Sequence, residues 1–355
     1  MPLSCYRQSV ILSLLAMAVI SGCERAEPIE WTSSKAVTQL EGQLVAEIQK
    51  IVKENSGTAA APKLVSDKKP DFDFSQHLLH GQAVYMHRCV QCHGVNGDGN
   101  GPAASHLYPR PRDYTKGMFK FTSTPYGIKP RREDLIDTLN RGINGTSMPK
   151  FDLLPRKDLE AVVDYVIVLS QRGELELMLS QEAEASEELD PDFVPEFIDD
   201  VINRWKVAKT SLTQPLTPQP ELTEDRAKKG REAFLSKGCS KCHGDDGRGQ
   251  TNFAFPPDSW GYPTFAADLT SGMLRGGQEP IDIYRRILNG INGTPMPSHK
   301  VALAGEPDVI WDLVAYVQEI SNQRRLGKPI PAGLVKPYGT TESAAQDSTP
   351  AAAEE

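Results

Sequence analysis

An internal repeat with a matched cysteine pair in each copy constrains this chain more than any other feature. GQAVYMHRCVQCHGVNGDG begins at Gly81, and GREAFLSKGCSKCHGDDGRG begins at Gly230. Further on, LNRGINGTSMP (Leu139 to Pro149) matches ILNGINGTPMP (Ile287 to Pro297). Each copy closes with an apolar-periodic segment, LEAVVDYVIVLSQ from Leu159 and VIWDLVAYVQEIS from Val309. The order is the same in both: helix, cysteine pair with histidine, glycine-rich loop, helix, Met-Pro, helix. A repeat of this length implies two related domains in the 355 residues rather than one large core.

Cys89-Val90-Gln91-Cys92-His93 and Cys239-Ser240-Lys241-Cys242-His243 are C-x-x-C-H strings, the attachment signature of c-type haem. Two thiols at i and i+3 on a turning helix reach both vinyl groups of one porphyrin, and the adjacent imidazole binds the iron. Two other readings compete. The pairs could share a zinc ion, but ribbon-type sites place the second pair about 15–20 residues after the first. Each pair could be a thioredoxin-like redox disulfide, but no alternating strand–helix pattern surrounds them. The expected cofactor is therefore two covalent haem c groups, each with iron.

A haem with only a proximal histidine has an open distal face. Met148 and Met296 each stand in an N-G-T-x-M-P frame, over 50 residues after the histidine. A thioether is a soft iron ligand, and His/Met ligation raises the reduction potential. Gly145 and Gly293 allow a positive φ or a close approach of backbone to porphyrin. Pro149 and Pro297 stiffen the loop. The expected iron ligands are His93 with Met148 and His243 with Met296. Met118 and Met273 also align, but lack the constrained frame and read as packing residues. His77, His80, His87, His106 and His299 have no counterpart in the opposite repeat and read as surface or packing residues.

On these motifs both repeats resemble class I cytochrome c domains, over about three fifths of the chain. The resemblance implies an all-α fold of two tandem domains joined by an acidic, partly helical linker. It also implies that an N-terminal helix with Gly and an aromatic four residues on crosses a C-terminal helix with another aromatic. Here these are Gly81 and Tyr85 against Tyr165, and Gly230 and Phe234 against Tyr316. The i,i+4 spacing puts Gly and aromatic on one helical face.

The segment between histidine and methionine differs between copies. The first carries Arg110, Arg112, Lys116, Lys120, Lys129, Arg131 and Arg132 against Asp113 alone up to Arg132. Arg110 and Arg112 are candidates for binding haem propionates. The others are expected to form a docking face for an acidic redox partner.

Flanking segments complete the layout. The apolar run Val10 to Ile20 follows Arg7 and is too short to span a bilayer, so residues 1–22 read as a signal peptide. Small residues before Cys23 resemble a bacterial lipoprotein processing box, which implies lipidation of Cys23 and a stable membrane anchor. Residues 23–75 read as a lipid-anchored tether, with an amphipathic helix over 36–54. The domains follow at 76–170 and 221–327. Between them the linker, 171–220, holds eleven acidic and four basic residues, and 328–355 read as a disordered tail. The expected location is the periplasmic side of a bacterial cell envelope.

The net charge of −8, with no basic tail, argues against a nucleic-acid partner. Two closed haems suit electron transfer with redox proteins or a respiratory membrane complex, and no small-molecule substrate is expected. The competing readings are a di-haem redox enzyme such as a peroxidase, which needs a distal site that opens, and a structural haem-bearing subunit.

Overall fold

The structure is a computed structural model that describes residues 29–66 and 72–325. Residues 1–22, expected to be a signal peptide, Cys23 and the C-terminal segment from 328 lie outside the described residues. Along the chain the helices are α1 (Lys35–Thr38), α2 (Gly42–Ser56), α3 (Phe72–Arg88), α4 (Val90–His93), α5 (Arg132–Arg141), α6 (Arg156–Ser186), α7 (Val194–Thr210), α8 (Glu224–Ser236), α9 (Ser240–His243), α10 (Pro280–Asn289) and α11 (Val309–Arg325). A short antiparallel pair, β1 (Gly57–Thr58) with β2 (Ala61–Pro62), is the sole sheet among the described residues. The fold is all-α. No described helix is long and apolar enough to cross a membrane.

The chain forms two compact units. In described residues, the first comprises 29–66, 72–117 and 155–203, and the second 118–154 and 204–325. The units do not coincide with the repeats. Residues 118–154 of the first repeat, with α5 and Met148, belong to the second unit.

In the first unit α3 crosses α6, and glycine makes the crossing possible. A Cβ at Gly81 would overlap the carbonyl oxygen of Ala161. Tyr85, four residues on, packs on Tyr165 with ring centroids 5.4 Å apart. The α8–α11 crossing in the second unit repeats the arrangement. A Cβ at Gly230 would overlap the carbonyl oxygen of Asp312, and Phe234 lies 5.2 Å from Tyr316. Helix α10 joins this core through Tyr284, whose ring lies 4.3 Å from that of Trp311.

Two segments read as connectors are packed structure. Helix α6 runs past the first repeat into the acidic stretch, because Leu175, Leu179 and Ala183 continue its apolar face at i,i+4 and are buried. The amphipathic segment 36–54 is two helices, broken between α1 and α2. Glu41 has extended backbone angles and Gly42 follows, so the first helix stops at Thr38 and a new one begins. Val37, Ile48 and Val52 still share the buried face.

The chain ahead of α1 is also fixed to the first unit. Thr32 donates its N–H to Asn96 Oδ1 at 3.0 Å and accepts at Oγ1 from Asn96 Nδ2 at 2.7 Å. Buried Arg172 donates to the Thr32 carbonyl at 3.0 Å, lies over the Trp31 ring and pairs with Glu176 at 3.2 Å. The buried charge is thus paired and hydrogen-bonded, the condition under which burial is tolerated.

Candidate functional site

Each C-x-x-C-H string forms one helical turn, α4 or α9, directly after the glycine-bearing helix of its repeat. Cys89 and Cys239 stand at the N-caps, and the N–H groups of His93 and His243 donate to their carbonyls at 2.9 and 3.0 Å. The two thiols of each pair and the imidazole therefore project from a single turn. The following loops are held by glycines of positive φ: Gly94, Gly97 and Gly99 in one, and Gly244, Gly247 and Gly249 in the other. Gly99 and Gly249 donate to the carbonyls of His93 and His243, at 3.0 and 2.7 Å.

The two imidazoles are oriented alike. His93 Nδ1 lies 3.1 Å from the carbonyl oxygen of Arg112, and His243 Nδ1 lies 3.2 Å from that of Ala267. A carbonyl only accepts, so Nδ1 carries the hydrogen and Nε2 keeps its lone pair. Burial lowers both histidines' affinity for protons, that of His93 to a pKa of about 4. Each is then a neutral ligand of fixed tautomer, as a metal-bound imidazole must be. The carbonyl acceptors left no residue signature. The signal was the paired Asp113-Tyr114-Thr115 and Asp268-Leu269-Thr270, which follow them and align.

The cysteine environment separates the earlier alternatives. Cys89, Cys92, Cys239 and Cys242 are free thiols. Burial pushes the Cys89 thiol up to about 12 and raises Cys239 as well. A redox-active C-x-x-C needs a lowered pKa, so this is the wrong environment for thioredoxin-like chemistry. No group of three or more His, Cys, Asp or Glu side chains among the described residues could hold a metal ion. A thiol destined for a thioether needs neither.

The methionine loops match closely. Gly145 and Gly293 have φ of 71° and 70°. Thr146 Oγ1 donates to the Ile143 carbonyl at 2.8 Å and accepts from Met148 N–H at 3.1 Å. Thr294 does the same between Ile291 and Met296, at 2.8 and 3.3 Å. Both methionine carbonyls accept from the isoleucine N–H at 3.1 Å. The N-G-T-x-M frame is a closed loop that presents a half-buried methionine. His243 and Met296 lie in the second unit; His93 lies in the first and Met148 in the second.

The basic segment is divided between the two units, and two of its cations are paired. Arg110, Arg112 and Lys116 lie in the first unit; Lys120, Lys129, Arg131 and Arg132 lie in the second. Lys120 is committed to Asp258 at 2.9 Å and Arg131 to Glu133 at 3.0 Å. Arg110 Nε is buried without a partner, although the guanidinium reaches Asn100 at 3.4 Å. His77 and His80 pair with Asp164 and Asp158 of α6, at 2.8 and 2.7 Å, and so serve packing.

The donor set fits haem c: two thiols and a neutral imidazole on one turn, twice over, with an orphaned buried arginine N–H suited to a carboxylate. Comparisons agree. The cytochrome c family model matches residues 78–170 and 227–321. The chain belongs to the cytochrome c family and carries two of its domains. It is 27% identical over 190 residues to the Cbb3-type cytochrome c oxidase subunit CcoP of Helicobacter pylori strain 26695, covering 52% of this chain and 44% of that protein. The match to the same subunit of strain 52 is of equal identity and covers 43% of it. The chain thus spans less than half the length of the curated relatives it matches. A chain of the reducing HAO-like protein complex of Kuenenia stuttgartiensis aligns with a TM-score of 0.53 and 30% identity, covering 68% of this chain and 95% of that one. Covalent haem c and electron transfer follow from the family.

Proposed function

We propose that the protein carries single electrons through two haem c groups, each ligated by histidine and methionine, as a membrane-anchored component of a respiratory chain. Cys89 and Cys92 hold one porphyrin and Cys239 and Cys242 the other. The bound iron supplies one-electron redox chemistry. The chain's own residues set the conditions. His93 and His243 are kept neutral by burial and oriented by main-chain carbonyls. The threonine-closed loops hold Met148 and Met296 ready, so ligation costs little ordering entropy. Arg110, with its orphaned N–H, and Arg112 bind propionates.

The observation that carries this reading is the duplicate N-G-T-x-M loop, identical in its hydrogen bonds. An enzyme with one dedicated open site would have no need of two such loops. That two kinds of relative belong to an oxidase and to a HAO-like complex supports redox proteins or a respiratory membrane complex as partners. Lipidation of Cys23, on the periplasmic side of the envelope, would supply the anchor.

The test is spectroscopic. In the haem-loaded protein, Met148→Ala and Met296→Ala should each remove part of the methionine-to-iron absorption band and lower the potential of one haem. A band that survives both substitutions would overturn the ligation. Cyanide binding to a haem of the resting wild-type protein would revive the enzymatic reading. For the anchor, Cys23→Ser should release the protein from membranes; retention there would refute lipidation.

A further inference from the structure

The N-G-T-x-M loop of the second repeat is braced by residues of the first. Met118 and the chain up to Gly127 lie in the second unit, against Asn289, Asn292 and Gly293. A Cβ at Gly293 would lie 2.6 Å from Met118 Sδ and 2.6 Å from a ring carbon of Trp260. The glycine is therefore enclosed between a thioether and an indole, three residues before Met296. Trp260 is in turn fixed to the first repeat: Lys120 lies 5.2 Å from its ring centre and pairs with Asp258, two residues earlier. Ser259 closes this bracket by donating its N–H to the Gly293 carbonyl at 3.0 Å.

Main-chain contacts extend the brace. Gly127 N–H donates to Asn292 Oδ1 at 2.9 Å. Asn289 donates to the Thr124 carbonyl at 2.9 Å, and Arg286 donates to that of Thr122. The contact at Gly293 has a weaker mirror image. Met273, which aligns with Met118, lies against Gly145 in the first repeat's loop, but its sulfur is 3.7 Å from a Cβ there and its residue is half-exposed, at 52%. The aligned methionines are thus exchanged between loops, tightly at Gly293 and loosely at Gly145.

We propose that Met118 is a positioning residue for Met296, so that ligation of the second haem depends on the first repeat. This rests on Met296 being an iron ligand. A thioether is polarizable and conforms to the flat indole and the bare glycine backbone, which suits it to closing such a contact. Met296 sits on a loop whose own bonds are local, so displacing its outer wall moves the sulfur relative to the histidine on α9. Any loss of ligation lowers the potential of that haem alone.

The experiment uses the haem-loaded full chain in two backgrounds. With Met148→Ala, the remaining methionine-to-iron band reports the second haem; with Met296→Ala, it reports the first. Adding Met118→Ala should weaken the band and lower the potential in the first background, and leave both unchanged in the second. Met118→Leu should restore the band, because it refills the space. Met273→Ala should have a smaller effect, and in the opposite background. The proposal is overturned if Met118→Ala acts on the first haem, acts on neither, or is not rescued by leucine. If Met148→Ala or Met296→Ala alone leaves the band whole, the ligand assignment fails instead, a result distinct from failure of the brace.

Discussion

His93 Nδ1 stands 3.1 Å from the main-chain carbonyl of Arg112, an acceptor that no side-chain substitution removes. The equivalent residue in the second repeat is Ala267, which holds His243 in the same way. The guanidinium is therefore dispensable for orienting the proximal histidine. Arg112→Ala should leave the Soret band position and the methionine-to-iron band of the loaded protein unchanged. A shift to a high-spin spectrum would show that the side chain itself supports ligation.

The two glycines at the helix crossings have the opposite character. On an exposed helix, Gly→Ala stabilises by about 1 kcal/mol through propensity. At Gly81 and Gly230 the new methyl would meet the carbonyl oxygens of Ala161 and Asp312, which are rigid main chain. Overpacking of this kind costs about 1–3 kcal/mol. Each substitution should lower the denaturant midpoint of the protein. A neutral or stabilising result at either position would mean that the helices can separate without loss.

What the sequence made legible follows the same division between side chain and main chain. The crossing glycines, their aromatics, the thiols, the histidines and the positive-φ turn at Gly145 and Gly293 all need a particular side chain, or its absence, and so left a mark in both copies. The carbonyls of Arg112 and Ala267 accept without regard to residue type, so their places are marked only indirectly, by the aligned Asp113 and Asp268 that follow them. The extension of α6 is masked in the sequence because acidic residues outnumber the apolar positions Leu175, Leu179 and Ala183, which alone carry its i,i+4 face. The seven basic residues read as one surface in the sequence, but pairing of Lys120 and Arg131 depends on Asp258 and Glu133, and of these only Glu133 is near in sequence. The exchange of Met118 and Met273 is tertiary in origin. Alignment alone could show that they correspond, not that they cross.

The Lys120–Asp258 pair makes the second unit sensitive to acid. Desolvation would raise the Asp258 pKa, but Lys120 and the N–H groups of Tyr262 and Trp260 outweigh it, and the carboxyl is held below its ordinary value. A depressed carboxylate contributes stability that is present above the unfolded-state pKa of about 3.9 and is lost as pH falls through the folded-state value. Lys120→Met should cost about 2 kcal/mol at neutral pH, less than the ~3–5 of a fully buried pair because the lysine is partly exposed. The gap between variant and wild type should narrow only below the unfolded-state pKa of about 3.9, as pH falls through the depressed folded-state value and the wild-type carboxylate takes up its proton. A gap that stays constant across that range, in urea denaturation followed by tryptophan fluorescence, would exclude the ion pair as its source.

Asp134 anchors the other end of the segment that carries Met118. One of its carboxylate oxygens, Oδ2, accepts both the Ser123 N–H and the Arg131 N–H at 2.9 Å, which caps α5 and fixes the chain ahead of it. An asparagine oxygen can accept the same two bonds; leucine can accept neither. Loss of an N-cap costs about 1 kcal/mol, and stranding a further buried N–H adds about 1–3. Asp134→Leu should therefore destabilise by about 2–4 kcal/mol, and Asp134→Asn by much less. The pair also separates capping from charge, because Asp134 faces Arg285 and Arg286. If the two variants lose stability equally, the negative charge beside those arginines is what matters. If leucine alone is costly, the hydrogen bonds to Ser123 and Arg131 hold the segment in place.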